Sequence, residues 1–345
     1  MEILSARIMA PVVEGAPSAM TRELASSESP LVSAIVPAYN RRAETLACVE
    51  SLLASRGCSL EVIVVDNAST DGTSEAVQAQ FGDRVRRLRS EVNLYAGGGR
   101  NLGAAHACGR FLLFVDSDNL VAPDMAQELV EGLCRHSAEH IGLGGPFMYH
   151  ADHPDRLCWT WGDIGLWSSR TYWRGQGERD TGQWANVPYV EVGHVPNVMM
   201  IEHRLFQAVG GFDPLFPMHY EESDLAERIR RRGYRCALFP RAKTWHRIPL
   251  EKSEGDRACR GDNPGLLYFA VRNRILYMRR YAGPLRLPLF MFFWSPLFLV
   301  YHLGWLVRRR EPRLAGLVWR AWWDGWRMAC PSPGGLGPSQ GEPVS

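Results

Sequence analysis

The sequence predicts an α/β fold built on a parallel, doubly wound sheet. Two observations carry that expectation. Short apolar runs rich in β-branched residues end in polar or acidic residues, and segments of helical period lie between them. The strongest run, residues 111–115 (FLLFV), is uninterrupted, as expected of a strand covered on both faces.

Residues 31–36 form the first run, stopped by Pro37. Residues 44–54 follow, with Leu46, Val49, Leu52 and Leu53 at helical spacing. Residues 61–65 are a second strand ending at Asp66, and Thr70 or Asp71 can cap the next helix, whose first turn holds Glu75. Residues 85–88 are a weak third strand. The stretch NLYAGGGRNLG (93–103) reads as a loop before a small-residue helix at 104–108. Its three glycines either let the backbone approach a ligand or close the loop onto the sheet. The helix start would offer N–H groups to an anion, with Arg100 adding charge. No G-x-G-x-x-G follows the first strand, so a nicotinamide-type site is not supported.

The strand at 111–115 ends in Asp116-Ser117-Asp118-Asn119. Two carboxylates beyond a buried strand are costly without a positive neighbour, and a divalent cation carrying phosphate oxygens would supply it. A solvated, helix-capping turn is the alternative. Trp159, Trp161, Trp167, Trp173 and Trp184 punctuate a looser region, most as the core of an irregular subdomain that shapes an acceptor pocket, the alternative being stacking on sugar rings or a lipid-linked acceptor. Residues 219–224 (HYEESD) then open an amphipathic helix ended by Gly233, and residues 234–239 make a short strand before Pro240. The three acids suit a helix N-terminus; alternatively, adjacency and partial burial raise one carboxyl pKa and make a general base.

With Lys+Arg 39 against Asp+Glu 37, the chain has no charge excess that would suggest nucleic acid as a partner. Basic residues gather instead at 272–280 and 308–313, beside apolar sequence, as at a membrane surface. Eight scattered cysteines without C-x-x-C spacing read as reduced and cytosolic. Residues 1–30 lack a secretory pattern and read as a flexible leader, and 331–345 as a disordered tail. Residues 287–307 carry no charge and are long enough to cross a bilayer, but Pro288, Pro296 and Gly304 interrupt them. Arginines on both flanks give no orientation, so the segment is either one transmembrane helix or a re-entrant hairpin kinked at Ser295-Pro296 with both ends cytoplasmic. Residues 314–328 read as an interfacial amphipathic helix, and a soluble pair of core helices is the alternative.

Over roughly residues 32–247 the motifs VSAIVPAYNR, EVIVVDNASTDGT, NLYAGGGRNLG, FLLFVDSDN, GGFDPLFPMHYEESDLAERIRRRGY and TWH resemble the family 2 inverting glycosyltransferases, nearest their rhamnosyl- and galactofuranosyltransferase-like members. The resemblance implies a GT-A fold, a Rossmann-like mixed sheet with flanking helices at 31–250, followed by membrane-associating helices at 251–330. It implies that Pro37, Ala38, Tyr39, Asn40, Asp66, Asn67, Gly98, Arg100, Asp116 and Ser117 bind a nucleotide-diphospho-sugar. Asp118, Asp116 and His246 would hold Mg²⁺ or Mn²⁺, with Asp118 the direct ligand and Asp116 nearer the ribose. Glu222 would be the base, Glu221 its competitor, and Asp224 would orient the acceptor or cap the helix. The implied reaction is single-displacement transfer to a glycan or lipid-linked acceptor at the cytoplasmic membrane face, serving cell-envelope polysaccharide synthesis. A nucleotidyltransferase of similar fold is a rival, although Pro37-Ala38-Tyr39-Asn40 stands where its glycine/basic loop would be. An inactive membrane scaffold is the other rival, and it would need none of Asp66, Asp118 and Glu222.

Overall fold

The computed structural model describes residues 31–158, 161–247 and 264–331. The expected leader, nearly all of the tail, and Trp159 lie outside them, as do the side chains of Trp161 and Trp173. Strands β1 (Val32–Ala38), β2 (Leu60–Asn67), β3 (Arg86–Ser90) and β4 (Phe111–Val115) are parallel, in the order β3-β2-β1-β4. The sheet is not parallel throughout. β10 (Val198–Glu202) runs antiparallel between β4 and β6 (Ile141–His150). Beyond them lie β11 (Arg235–His246), parallel to β6, and β5 (Asn119–Val121), antiparallel to β11. β9 (Val190–Val192) also pairs with β11, and β7 (Trp161–Ile164) with β8 (Thr171–Arg174) forms a separate hairpin.

Alternation along β1 divides the core. Ala34 and Val36 pack with Val49 and Leu52 of α1 (Arg42–Leu53), Val77 and Phe81 of α2 (Thr73–Phe81), and Leu129 of α4 (Met125–Arg135). Ile35 faces the other way, into a cluster with Ala104 of α3 (Tyr95–Ala105), Phe206 of α5 (His203–Val209), and Leu225 and Ile229 of α6 (Glu221–Arg230). Helices on both faces leave the strand ends as the exposed seam, where a ligand site forms in an open α/β sheet.

Three elements differ from the sequence expectation. Gly97, Gly98 and Gly99 are helical, in the first half of α3. Close packing explains them: a Cβ at Gly99 would meet Asn67 Nδ2 at 2.7 Å, and one at Gly103 would meet Ile35 Cγ2 at 2.3 Å. Gly99 and Gly103 let the helix press on the sheet, whereas Gly97 faces Phe212 and Gly98 the preceding turn of its own helix. β11 continues through Pro240, because a register shift between Phe239 and Lys243 absorbs the missing donor. Residues 287–307 are no hairpin but part of one continuous helix, α8 (Gly283–Arg308), whose π-helical segment Phe290–Trp294 precedes Pro296. Among the described residues it is one helix long and apolar enough to cross a membrane. It packs with α7 (Pro264–Tyr281) and α9 (Ala315–Arg327). Of the tryptophans in the loose region, Trp184 packs edge-on against Phe147, whereas Trp167 is exposed.

Candidate active site

The seam between the β1, β2 and β4 carboxyl ends and the start of α6 gathers nearly every residue singled out by sequence. On the β1 side, Asn40 ties two loops together. Its backbone N–H donates to Ser69 Oγ at 3.0 Å, and its Oδ1 accepts from Thr70 N at 2.8 Å. Asp66, at the end of β2, is buried. One oxygen accepts from Ser69 N at 2.9 Å; the other accepts no hydrogen bond and has Arg89 Nη1 3.7 Å away. Asn67 donates to Tyr95 O at 3.2 Å, and its Oδ1 also lacks a donor. Buried acceptors left open are costly, so this corner is prepared for a donor from a ligand. Pro37 and Ala38 floor it, and Tyr39 is exposed at its rim. Gly98, on α3, lies against Leu94 of the preceding turn. Two first-turn N–H groups of α3 are already used, Tyr95 N by Asn93 Oδ1 and Gly97 N by Pro217 O.

Asp116, Ser117 and Asp118 turn tightly between β4 and β5, closed by Asn119 N donating to Asp116 O at 3.0 Å. Antiparallel pairing of β5 with β11 sets His246 opposite Asn119, which brings the two distant motifs together. His246 Nε2 is 3.3 Å from Asp118 Oδ1, while Arg41 Nη1 holds Asp118 Oδ2 at 2.5 Å. Neighbouring donors around a hard cation bound at 2.0–2.1 Å stand about 3 Å apart, so the Asp118–His246 pair fits two corners of such a site. Among the described residues no third His, Cys, Asp or Glu completes a cluster. A diphosphate and water would therefore have to supply the remaining oxygens.

Arg100 sits elsewhere than the sequence suggested. Its side chain is 0 % exposed, inside the protein rather than facing a ligand. Nη2 donates to Asp116 Oδ1 at 2.6 Å and Glu222 Oε1 at 2.9 Å, and Nη1 to Glu221 Oε1 at 3.3 Å. Three carboxylates share one guanidinium, which also lies over the Phe212 ring. Burial works against the Arg100 charge, but Asp116, Glu222 and Glu221 overcome it and hold the guanidinium protonated. Burial pushes both glutamates above the usual carboxylate range. Glu222 adds to the rise at Glu221, Asp116 adds to the rise at Glu222, and Arg100 opposes both. Glu222 is the more open of the two, its side chain 16 % exposed against 8 %.

Asn197 is the residue sequence reading missed. Its N–H donates to Glu222 Oε1 at 2.9 Å, its carbonyl accepts from Asp116 N at 3.3 Å, and its Nδ2 lies 3.3 Å from His246 Nε2. One residue thus touches the base candidate, the strand-end acid and the candidate metal-ligand histidine. No motif marks it. Its signal is conformational, a non-glycine residue at φ 54°. Asn40, Ala68, Tyr95, His219 and Tyr220, all bordering the seam, share positive φ. Strained backbone concentrated at one place marks functional sites.

Asp224 differs too. Fully buried, it accepts from Arg228 Nε at 2.8 Å, Arg280 Nη1 at 2.8 Å and Tyr281 OH at 2.6 Å, so it can neither face an acceptor nor cap the helix. It fastens α6 to α7.

Comparison with known proteins agrees with this architecture. Residues 33–189 match the family model Glycosyl transferase family 2. The chain is 39% identical over 102 residues to the succinoglycan biosynthesis protein ExoO of Rhizobium meliloti, a match covering 30% of this chain and 29% of that one. It is 25% identical over 231 residues to the uncharacterized glycosyltransferase YibD of Escherichia coli, covering 61% and 67% respectively. The chain thus spans under a third of the length of the first relative. Staphylococcus aureus TarS 1–349, solved with UDP-GlcNAc, superposes with a TM-score of 0.52 at 16% identity, covering 85% of this chain and 81% of that one. That likeness is one of fold, and the fold is GT-A.

Proposed function

We propose that this chain, carrying a glycosyltransferase family 2 domain, moves a sugar from a nucleotide-diphospho-sugar to a hydroxyl of a glycan or lipid-linked acceptor. The proposed course is a single displacement that inverts the anomeric centre. The observation that carries it is Arg100, whose guanidinium joins Asp116, beside the Asp118–His246 pair, to Glu222. Leaving-group side and proton side are thereby held in one rigid unit. The succinoglycan-biosynthesis role in ExoO's name, and the UDP-GlcNAc bound by TarS, support the donor and acceptor classes.

In this reading Asp66 and Asn67 receive the base and ribose, with Pro37, Ala38 and Tyr39 lining that end. Asp118 and His246 would hold Mg²⁺ or Mn²⁺, which would supply positive charge against the departing diphosphate. Arg41, whose exposed side chain pairs with Asp118 here, would turn to the phosphates when the cation takes that carboxylate. Glu222 takes the acceptor hydroxyl proton as the new bond forms. Its raised affinity for protons makes it a stronger base than an ordinary carboxylate once ionised. Asn197 N–H and Arg100 occupy Oε1, which leaves Oε2 to face the acceptor. Glu221, more deeply buried, keeps Arg100 in place. The apolar α8 supports attachment to the cytoplasmic membrane face, where a lipid-linked acceptor would lie.

The test is release of nucleoside diphosphate from a panel of nucleotide sugars with a mixed glycolipid acceptor, with Mn²⁺, with Mg²⁺ and with chelator. Metal-dependent turnover of one donor class and a product of inverted anomeric configuration support the reading. Pyrophosphate release from a sugar phosphate and a nucleoside triphosphate would instead identify a nucleotidyltransferase.

A further inference from the structure

α8 has two unlike faces. Leu285, Phe292, Phe293, Val300 and Val307 recur every seven or eight residues along one line, and each is more than half exposed. Two helical turns separate successive members, so they form a continuous apolar stripe. On the opposite side Phe290 and Met291 pack with Ile275 and Met278 of α7, and Leu299 and Leu306 with Leu267 and Val271. The partners ascend along one helix as they descend along the other, so α7 and α8 run antiparallel, meeting near residues 283–291 and at Arg274–Phe298, with α9 packed against both.

α7 cannot accompany α8 into hydrocarbon. It carries Arg272, Arg274, Arg279 and Arg280. The Arg274 guanidinium stands 4.3 Å from the ring of Phe298, near the middle of α8, and its Nε donates to Tyr220 OH at 3.3 Å. Arg280 is tied to Asp213 and Asp224, and Asn273 donates to Met218 O and His219 O, immediately before Glu221. A spanning α8 would hold Arg274 at the bilayer centre, where an arginine is costly. It would also have to strip α8 from helices keyed to the active site.

We infer that α8 lies in the plane of an anionic lipid surface, its stripe in the headgroup–acyl boundary and its other face on the protein, without crossing. This inference rests on the membrane attachment proposed above. Charge argues for lipid over a second copy of this chain. From residue 283 to 331 seven arginines stand against only Glu311 and Asp324, so two copies would repel while an anionic surface attracts. The consequence is functional, because α7 connects this surface to the turn that carries Glu221 and Glu222. Docking would set the site at a fixed height above the lipid.

The test uses the full chain with vesicles of phosphatidylcholine alone or with 30 mol% phosphatidylglycerol, and fluorophores on Pro284→Cys, Val300→Cys and Arg308→Cys, each scored above the parent's own cysteines. Expected are flotation with preformed anionic vesicles, weakened at least tenfold by neutral lipid or by Phe292→Glu/Phe293→Glu with unchanged far-ultraviolet circular dichroism. Both end labels should be reachable by an aqueous quencher from outside, and Val300 should sit at shallow depth. End labels on opposite sides of reconstituted vesicles would overturn in-plane docking while leaving membrane attachment intact, and so would a deep Val300 between shallow ends. Failure to bind any vesicle would remove membrane attachment itself. A dimer dissolved by the double glutamate variant would reassign the stripe to a protein interface.

Discussion

Removing the Arg100 guanidinium would leave Asp116, Glu221 and Glu222 without their shared cation. Breaking a buried ion pair from one side costs about 3–5 kcal/mol, so Arg100→Met should lower the urea midpoint accordingly. The deficit should shrink on acidification, because the stranded carboxyls relieve their repulsion by binding protons. The same geometry predicts the pH profile. Glu222 must be ionised to act, and burial raises its pKa, so the acid limb of kcat should lie above the ordinary carboxylate range of roughly 4–4.5. Arg100 favours the ionised form, so a residual rate in Arg100→Met should show that limb moved to higher pH. A limb near 4 in the parent would show that Glu222 is solvated or is not the base. The acids were legible because each follows or opens a recognisable element, whereas His246 was named only through the family resemblance and ends β11 well beyond the strand expected at 234–239. Arg100 was legible as a residue but not in its contacts, since nothing local reveals that three carboxylates from two distant segments converge on it. Asn197, placed by backbone conformation alone, left no trace in the sequence.

At the scale of elements, the short buried strands were readable from composition because both faces are covered. The failures had one cause, tertiary packing overriding a local rule. Glycine disfavours helix by about 1 kcal/mol per residue, yet α3 accepts three in a row, and at Gly99, as at Gly103, only a bare Cα clears β1 and β2. The two effects can be set against each other at Gly103. Alanine there gains about 1 kcal/mol of helix propensity, but its Cβ would stand 2.3 Å from Ile35 Cγ2 and 3.2 Å from Val65 Cγ2, both in the core. Overpacking costs typically about 1–3 kcal/mol, so Gly103→Ala should be net destabilising in thermal denaturation. A higher melting temperature would mean that α3 is free to move away from the sheet.

For the whole molecule, the C-terminal helices are coupled to the catalytic end through Asp224. Its carboxylate receives Arg228 from its own helix and Arg280 and Tyr281 from α7, all buried. Asp224→Ala should therefore cost about 3–5 kcal/mol, with faster amide exchange across residues 273–281 as well as in α6. Exchange confined to α6 would show that the two parts are held by apolar contacts alone. Sequence reading separated these parts at residue 250, where composition turns apolar and basic. It had no means to see that an acid of the HYEESD segment is spent on joining them.

The central claim is that Glu222 takes the proton while Asp118 and its neighbours hold the donor. It is tested most directly by measuring donor affinity calorimetrically and turnover by product mass spectrometry in Glu222→Gln and Glu221→Gln. Near-normal donor affinity is expected in Glu222→Gln, with turnover reduced on the order of 10²–10⁴-fold, and a smaller loss in Glu221→Gln. Full turnover in Glu222→Gln alongside an inactive Glu221→Gln would contradict it.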